Sequence, residues 1–225
     1  MVYLDRAEAG AVLAKQLARF ANREDVVVLA LPRGGVPVAA EVARALNAPL
    51  DVFVVRKLGL PGHEELAIGA IASGGVCILN DEVMRYVGLP APILEVVKQR
   101  ELLELERREL LYREGRSAVE IEGCIVILVD DGLATGSSML AAVEAVRRMR
   151  PSRIVVAVPV AASEAFATLR RAADECVSAS TPDPFIAVGR WYRDFAQTTD
   201  DEVRDILARE SARQKVSSCA EGEVR

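Results

Sequence analysis

Two adjacent carboxylates, Asp130 and Asp131, have the residue type and setting most clearly suited to chemistry in this chain. They follow five apolar, mostly β-branched residues, 125–129, a run too short for a helix and typical of a strand buried on both faces. A loop of small and polar residues, 132–138, comes next and leads into an amphipathic helical pattern. The sequence therefore predicts a strand, a loop and a helix N-terminus, with both carboxylates where the strand ends.

The loop has the composition of an anion-binding site. Backbone N–H groups at a helix N-terminus have no partner within the helix, and the helix dipole favours negative charge there. Thr135, Ser137 and Ser138 add hydroxyl donors, and two glycines in the loop allow the backbone to approach a ligand closely. Ionised carboxylates only accept hydrogen bonds, so the acidic pair should face hydroxyl groups of the same ligand. A small molecule with a phosphate and a vicinal diol is a ribose 5-phosphate.

The segment Val-Asp-Asp-Gly-Leu-Ala-Thr-Gly-Ser-Ser resembles the motif with which type I phosphoribosyltransferases bind phosphoribosyl pyrophosphate, PRPP. In that family the acidic pair holds the two ribose hydroxyls and the following loop wraps the 5-phosphate. The resemblance implies catalytic roles for Asp130 and Asp131. It also implies a 5-phosphate site formed by Ala134, Thr135, Gly136, Ser137 and Ser138.

A second strand–loop–helix unit lies upstream of the motif. An apolar run over residues 26–31 fits a parallel strand, and Arg33, Gly34 and Gly35 follow it before another helical pattern. Paired glycines expose N–H groups, and an arginine offers a planar fork of donors for an oxyanion. By itself such a tripeptide more often marks a turn. The resemblance implies that this loop binds the pyrophosphate.

A basic pair, Arg56-Lys57, follows a strand predicted over residues 50–55 and precedes a Gly- and Pro-rich run that reaches His63. The pattern suggests side chains aimed at an anion beneath a mobile loop. A solvated basic pair at the sheet edge is the alternative. Related transferases have a similar Arg-Lys near the pyrophosphate, which implies catalytic roles for both residues. His63 is the single histidine of the chain, and an exposed histidine is more often incidental than catalytic.

Residues 74–120 interrupt the alternation of strands and helices. They contain a short apolar run and a charged helical segment in which Val96, Leu103 and Leu110 recur at intervals of seven. An amphipathic helix packed on the body of the protein explains this pattern. The resemblance implies a hood or lid that contains the flexible catalytic loop, and a lid also excludes water from a reaction.

An aromatic-rich segment, residues 181–195, resembles the base-binding stretch of hypoxanthine-guanine phosphoribosyltransferases. The resemblance implies that an aromatic ring stacks on the base and that the backbone after it contacts the base edge. The residues implied are Phe185, Ile186 and Ala187. Asp194 would lie near the pyrophosphate and its metal ion. The alternative is a buried aromatic cluster, which is favoured for Trp191 and Tyr192.

Two departures from that pattern leave the acceptor open. The hypoxanthine-guanine enzymes have a base-reading Lys upstream of the aromatic residue, whereas residues 160–164 of this chain contain none. They also have an Asp in the PRPP loop at the position of Ala134, and an Ala there is similar to adenine phosphoribosyltransferases. A purine acceptor is slightly favoured. The alternative function is a regulatory protein that binds PRPP or a nucleotide in the same pocket without catalysis, and a phosphosugar-binding scaffold is a third class.

The predicted fold is α/β, with a central, mostly parallel sheet covered by helices on both faces and a helical hood or lid insertion. We expect a phosphoribosyltransferase domain over residues 1–208, with the hood at about 74–120, and a disordered polar tail over 209–225. The predicted reaction is a glycosyl transfer that depends on Mg²⁺. It moves ribose 5-phosphate from PRPP to a nitrogenous base and releases pyrophosphate. No residue is predicted as the general base.

Composition restricts the partners of this chain of 225 residues. A net charge of −5 argues against a non-specific nucleic-acid binder, and no apolar run approaches the length of a membrane span. The four cysteines are scattered and suggest neither a zinc site nor a disulfide framework. We therefore expect a soluble cytoplasmic protein whose ligands are PRPP and a small-molecule base. Relatives of this fold often form homodimers, and the sequence leaves the oligomeric state open.

Overall fold

The computed structural model describes residues 2–222, and within them the side chains of Glu65 and of residues 215–222 are not described. The α-helices are Arg6–Gln16 (α1), Gly35–Leu46 (α2), Asp81–Val87 (α3), Ala91–Arg113 (α4), Ser137–Arg148 (α5), Ser163–Ala172 (α6) and Asp200–Gly222 (α7). The strands are Val26–Ala30 (β1), Leu50–Val52 (β2), Val55–Leu60 (β3), His63–Ala72 (β4), Val76–Leu79 (β5), Ile125–Val129 (β6), Arg153–Val160 (β7) and Glu175–Ser180 (β8). No helix in the described range is long and apolar enough to cross a membrane.

The main sheet has five parallel strands in the order β2-β1-β6-β7-β8. Every residue of β1 and of β6 is buried. Alternate side chains of these strands pack on α1, α2 and α7 on one face and on α5 and α6 on the other. Apolar, β-branched residues suit strands that are covered on both faces. The prediction of an α/β fold with a parallel central sheet between helices is therefore confirmed.

Two details of this layer differ from the sequence-based expectations. The edge strand β8 was not predicted, because its half-buried residues form no continuous apolar run. The capping-box spacing of Asp5 and Glu8 predicts a first helix over residues 5–21. Helix α1 ends at Gln16 instead and is followed by a single 3-10 turn, Ala18–Phe20. Its start agrees with the predicted cap, since the Asp5 carboxylate accepts a hydrogen bond of 2.8 Å from the backbone N–H of Glu8.

A second, antiparallel sheet is formed by β3, β4 and β5. Arg56 and Lys57 lie on β3 and His63 begins β4, so the prediction of a mobile loop over residues 56–63 is wrong. The Gly- and Pro-rich run corresponds only to the turn at residues 61–62, where Gly62 has a φ of +80°. Glycine adopts that conformation readily, which explains its presence in so short a turn.

The insertion over residues 74–120 contains β5, α3 and the long helix α4. The helix packs on the body as expected, but through Val97, Leu105 and Tyr112. The predicted stripe of Val96, Leu103 and Leu110 is instead 69%, 65% and 72% exposed, so the packed face was assigned wrongly. The contacting residues lie one or two positions later in the helix, and regular spacing alone cannot distinguish adjacent faces of a helix. Whether this region acts as a lid stays a prediction.

Helix α7 begins at a capping box in which Thr199 and Glu202 exchange hydrogen bonds of 2.7 and 3.1 Å. It continues to Gly222, whereas the sequence predicts a disordered tail over 209–225, of which residues 223–225 lie outside the described range. Polar contacts hold this half of the helix on α2. The Glu210 carboxylate is buried against Arg44 at 2.6 Å. A count of apolar residues does not detect such pairing.

The buried carboxylate of Asp51 fastens β2 to the end of α4. It accepts bonds of 3.1 Å from Arg113 Nε and from the backbone N–H of Val119, and its residue is 6% exposed. We predict that Asp51→Leu lowers the free energy of unfolding by about 3 kcal/mol, because the buried Arg113 guanidinium loses one of its two carboxylate partners and the Val119 N–H loses its acceptor. Urea unfolding measures this loss.

The control for Asp51 is Asp25→Leu, which removes the carboxylate of an exposed pair with Arg23. Exposed pairs contribute little, so this variant should unfold close to the wild type. Equal effects of the two substitutions would show that Asp51 has no special structural role.

Candidate active site

Two loops meet at the carboxyl ends of the neighbouring strands β1 and β6. The strands pair in parallel from Val26 and Ile125 onward, so residues 32–35 and residues 130–138 leave the sheet side by side. A Cβ atom on Gly34 would overlap the Asp131 carboxylate, and one on Gly35 would lie 2.9 Å from Asp130 Cα. The peptide bond that precedes Arg33 is cis. The structure therefore brings together the loops predicted to bind pyrophosphate and the ribose diol, and their contact requires both glycines.

Both carboxylates of the pair are part-buried. The Asp130 Oδ1 atom accepts a bond of 2.8 Å from the backbone N–H of Asp131. Burial, followed by repulsion from Asp131, raises the pKa of Asp130 well above its ordinary value. Burial also raises the pKa of Asp131, but the nearby Arg6 guanidinium opposes that rise. A ligand with hydroxyl donors would replace part of the solvation that the ionised pair has lost.

Arg6, at the first position of α1, is a residue of this site that the sequence did not reveal. Its Nε atom donates to Asp131 Oδ2 at 2.9 Å. The cap at Asp5 predicts where α1 begins and thus that Arg6 opens the helix, but the two paired residues are 125 positions apart. Nothing in a single sequence indicates which strand end that position meets.

The predicted 5-phosphate loop has the expected form. Gly136 precedes α5 with a φ of +73°, and the helix starts at Ser137. Ala134, Thr135, Ser137 and Ser138 are exposed and Gly136 is part-exposed, so the first-turn N–H groups that have no partner within the helix, together with the hydroxyls, can reach a ligand. The loop can thus hold a phosphate group a short distance from the carboxylate pair.

The predicted pyrophosphate-binding cations differ in their surroundings. The Arg33 guanidinium is part-exposed and lies 3.7 Å from the Asp200 carboxylate at the start of α7. Arg56 instead donates two hydrogen bonds, of 2.6 and 2.9 Å, to the buried Glu101 carboxylate on α4. Lys57, next to it on β3, is exposed. In this arrangement Arg56 fastens the antiparallel sheet to α4, and its predicted catalytic role requires that this ion pair open.

Phe185 lines a cavity of about 710 Å³ that adjoins the 5-phosphate loop at Ala134 and Thr135. Two carboxylates, Glu164 and Asp183, also line it, and no Lys or Arg is among its lining residues. Ile186 and Ala187 are exposed and do not line the cavity, so their predicted backbone contacts with a base stay a prediction. The cavity is large enough for a planar heterocycle.

Asp194, the predicted metal ligand, is exposed and lies in a different cavity, between α1 and the start of α7. Its Oδ1 atom accepts a bond of 3.0 Å from the backbone N–H of Ala196. Within residues 2–222, no group of three or more His, Cys, Asp or Glu side chains could hold a metal ion. Mg²⁺ commonly binds through one or two carboxylates together with substrate phosphates. The predicted role of Asp194 as a ligand of a Mg²⁺ ion on the pyrophosphate stays a prediction.

Sequence comparison adds the observation that decides the family. A profile described as the phosphoribosyl transferase domain matches residues 3–189, which include both loops, the acidic pair and Arg6. The chain belongs to the phosphoribosyl transferase family. The family that the motif at residues 130–138 predicted is thereby confirmed.

Two relatives in this phosphoribosyl transferase family come from Mycobacterium tuberculosis. They are named Putative phosphoribosyl transferase MT0597 (strain CDC 1551 / Oshkosh) and Putative phosphoribosyl transferase Rv0571c (strain ATCC 25618 / H37Rv). Each is 48% identical over 205 residues, which make up 91% of this chain and 46% of the relative. The chain thus spans about half the length of these relatives. The crystal structure of TT1426 from Thermus thermophilus is 47% identical, with a TM-score of 0.82 over 92% of this chain and 98% of that one.

The raised pKa of Asp130 predicts a pH-dependent gain in stability for Asp130→Asn. Because the folded-state pKa lies above the unfolded one, ionisation destabilises the fold; this penalty is absent below the unfolded pKa and complete above the folded one. The variant should therefore be more stable at pH 8, by roughly 1 kcal/mol, and unchanged at pH 3. Thermal unfolding across this range measures the difference.

The control for the pH experiment is Asp174→Asn. Its hydrogen bond with Arg147 lowers the pKa of Asp174, so loss of that charge should destabilise the fold at pH 8. If Asp130→Asn also lowers stability at pH 8, the carboxylate does not experience the repulsive environment described above.

Proposed function

We propose that the chain is a Mg²⁺-dependent phosphoribosyltransferase that moves ribose 5-phosphate from PRPP to a nitrogenous base and releases pyrophosphate. The observation that supports it most is the contact of the glycine loop, residues 33–35, with the carboxylates of Asp130 and Asp131. That contact lies beside the loop at the N-terminus of α5. A phosphate site, a diol site and a second anion site are the three parts that PRPP binding requires.

Each part of the site has a distinct task in this proposal. The loop of residues 134–138 binds the 5-phosphate, and Asp130 and Asp131 accept hydrogen bonds from the ribose hydroxyls. Residues 33–35 bind the pyrophosphate through the Arg33 side chain and glycine N–H groups. The bond from C1 to the pyrophosphate oxygen breaks, the pyrophosphate keeps the electron pair, and the ribose ring passes through an oxocarbenium-like state. A nitrogen of the base gives its electron pair to form the new bond to C1, and the proton on that nitrogen passes to solvent. A bound Mg²⁺ ion would neutralise charge on the departing pyrophosphate.

The cavity lined by Phe185 is our candidate for the acceptor site. A half-buried aromatic ring can stack on a planar base, and the cavity adjoins the 5-phosphate loop at Thr135. The lining side chains include the carboxylates of Glu164 and Asp183 but no base-reading lysine. Carboxylates favour an acceptor that presents N–H donors, such as the amino group of a purine. The resemblance at Ala134 to adenine phosphoribosyltransferases points in the same direction.

The second candidate function is a regulatory protein that binds PRPP or a nucleotide without catalysis. The observation that favours it is the ion pair of Arg56 with Glu101. While this pair is formed, Arg56 is not available to stabilise the departing pyrophosphate. The cavity lined by Phe185 also lacks the base-reading lysine of the hypoxanthine-guanine enzymes. Binding without turnover distinguishes this candidate from the transferase.

We predict that the double substitution Asp130→Asn/Asp131→Asn abolishes turnover and preserves the fold. Asparagine keeps the size of the side chain but loses the charge and one strong acceptor, so the diol is held poorly. Pyrophosphate release from PRPP with Mg²⁺ measures turnover, and circular dichroism checks the fold. The matched control, Asp25→Asn/Asp174→Asn, removes two carboxylates outside the site and should retain activity. Full activity of the first variant would refute the assignment of the acidic pair.

The decisive assay measures pyrophosphate release against adenine, guanine, hypoxanthine, xanthine, uracil and orotate, with calorimetric PRPP binding alongside. Release with one base supports the transferase and identifies its acceptor. Tight PRPP binding without release from any base supports the regulatory protein. Failure to bind PRPP would overturn both proposals.

A further inference from the structure

We infer that Arg6 is a positioning residue for the ribose diol, because it fixes the Asp131 carboxylate in the orientation that accepts a hydroxyl group. This inference rests on the proposed function, in which Asp131 binds the diol. It adds the N-terminal helix α1 to a site otherwise built from the ends of β1 and β6.

The contact between the two side chains is direct and sheltered. Arg6 Nε donates to Asp131 Oδ2 at 2.9 Å, and the two side chains are 12% and 15% exposed. Within the described range, no protein group donates to the other oxygen, Asp131 Oδ1. Arg6 therefore satisfies one oxygen of the carboxylate and leaves the other for a ligand hydroxyl.

The Arg6 guanidinium is itself held on two further sides. Its Nη1 group donates to the backbone carbonyl of Ala196 at 2.7 Å, and its central carbon lies 4.0 Å from the centroid of the Phe195 ring. On the opposite side Asp131 abuts Gly34, where no Cβ could fit. The Asp131 carboxylate thus lies between the Arg6 side chain, which other contacts hold in place, and the backbone of Gly34.

The charge of Arg6 matters as much as its position. When both are ionised, Asp130 and Asp131 place two negative charges side by side in a part-buried position, and PRPP brings more. Arg6 lowers the pKa of both carboxyls against the effect of burial. The other titratable group in contact with the pair is the hydroxyl of Tyr192, which donates to the Asp131 backbone carbonyl. It is not cationic, so Arg6 supplies the positive charge.

A positioning role predicts a particular loss. Without the guanidinium, Asp131 is free to rotate and to take up a proton, and both changes reduce the affinity for the diol. Deprotonation at high pH removes the second of these defects. The loss of PRPP affinity should therefore become smaller as pH rises. A residue that only supports the fold would instead reduce affinity by the same factor at every pH.

The experiment compares Arg6→Gln with Arg6→Lys, which keeps the charge, and with Arg23→Gln, which removes the arginine of an exposed Arg–Asp pair outside the site. Calorimetry with PRPP and Mg²⁺ over pH 6–9 gives the dissociation constants. We expect Arg6→Gln to weaken binding at pH 6.5 by about tenfold, the effect of a one-unit rise in a controlling pKa. The loss should fall toward pH 9, Arg6→Lys should recover most of the affinity, and Arg23→Gln should match the wild type.

A second measurement keeps this inference separate from the proposed function. The carboxyl carbons of Asp130 and Asp131 are titrated by NMR without ligand, in the wild type and in each Arg6 variant. If the wild type does not bind PRPP, the proposed function fails, and the titration alone tests whether Arg6 controls the carboxylate. An unchanged titration in Arg6→Gln, or a loss of PRPP affinity that does not vary with pH, would overturn the inference.

Discussion

The burial of two like-charged carboxylates at the end of a central strand is the constraint on which this site depends. Strand β6 is covered on both faces, so the residues that follow it emerge inside the protein rather than in bulk water. Two charges there are costly unless something compensates them. Two groups donate hydrogen bonds to the pair: the Arg6 side chain from α1 and the backbone N–H of Asp131. The glycines of the neighbouring loop leave the space that the carboxylates occupy.

The surrounding architecture follows from the same constraint. The arginine reaches Asp131 only because residues 192–196 hold it, through the Phe195 ring and the Ala196 carbonyl. Tyr192 on that segment also donates to the Asp131 backbone carbonyl. Trp191, in turn, pairs with Tyr3 through its backbone, ahead of α1. The start of α1 and the loop before α7 therefore contact each other, and both contact Asp131 of the acidic pair.

The sequence predicted the parts of this site whose signals are local. A short apolar run, two carboxylates and a small-residue loop in succession predict β6 and the start of α5. The alternation of strands and helices predicts a parallel sheet, in which the loops that follow the strands lie at one edge. Prediction from the sequence failed where the deciding interaction is distant. Arg56 lies on a strand and pairs with Glu101, and Arg6 pairs with Asp131, because partners far apart in sequence outweigh local preference. The buried polar pairs of α7 were missed for the same reason.

The separation of the two sheets has a consequence for how this chain can vary. Strands β1 and β6 are neighbours in space, yet residues 31–124 lie between them in the sequence. All of β3, β4, β5, α3 and α4 leave the main sheet after β2 and return before β6. The excursion is joined to the main sheet by the packing of Val97, Leu105 and Tyr112 and by the Asp51–Arg113 ion pair. Changes at its exposed residues therefore leave the register of the central strands, and the loops at the ends of β1 and β6, in place.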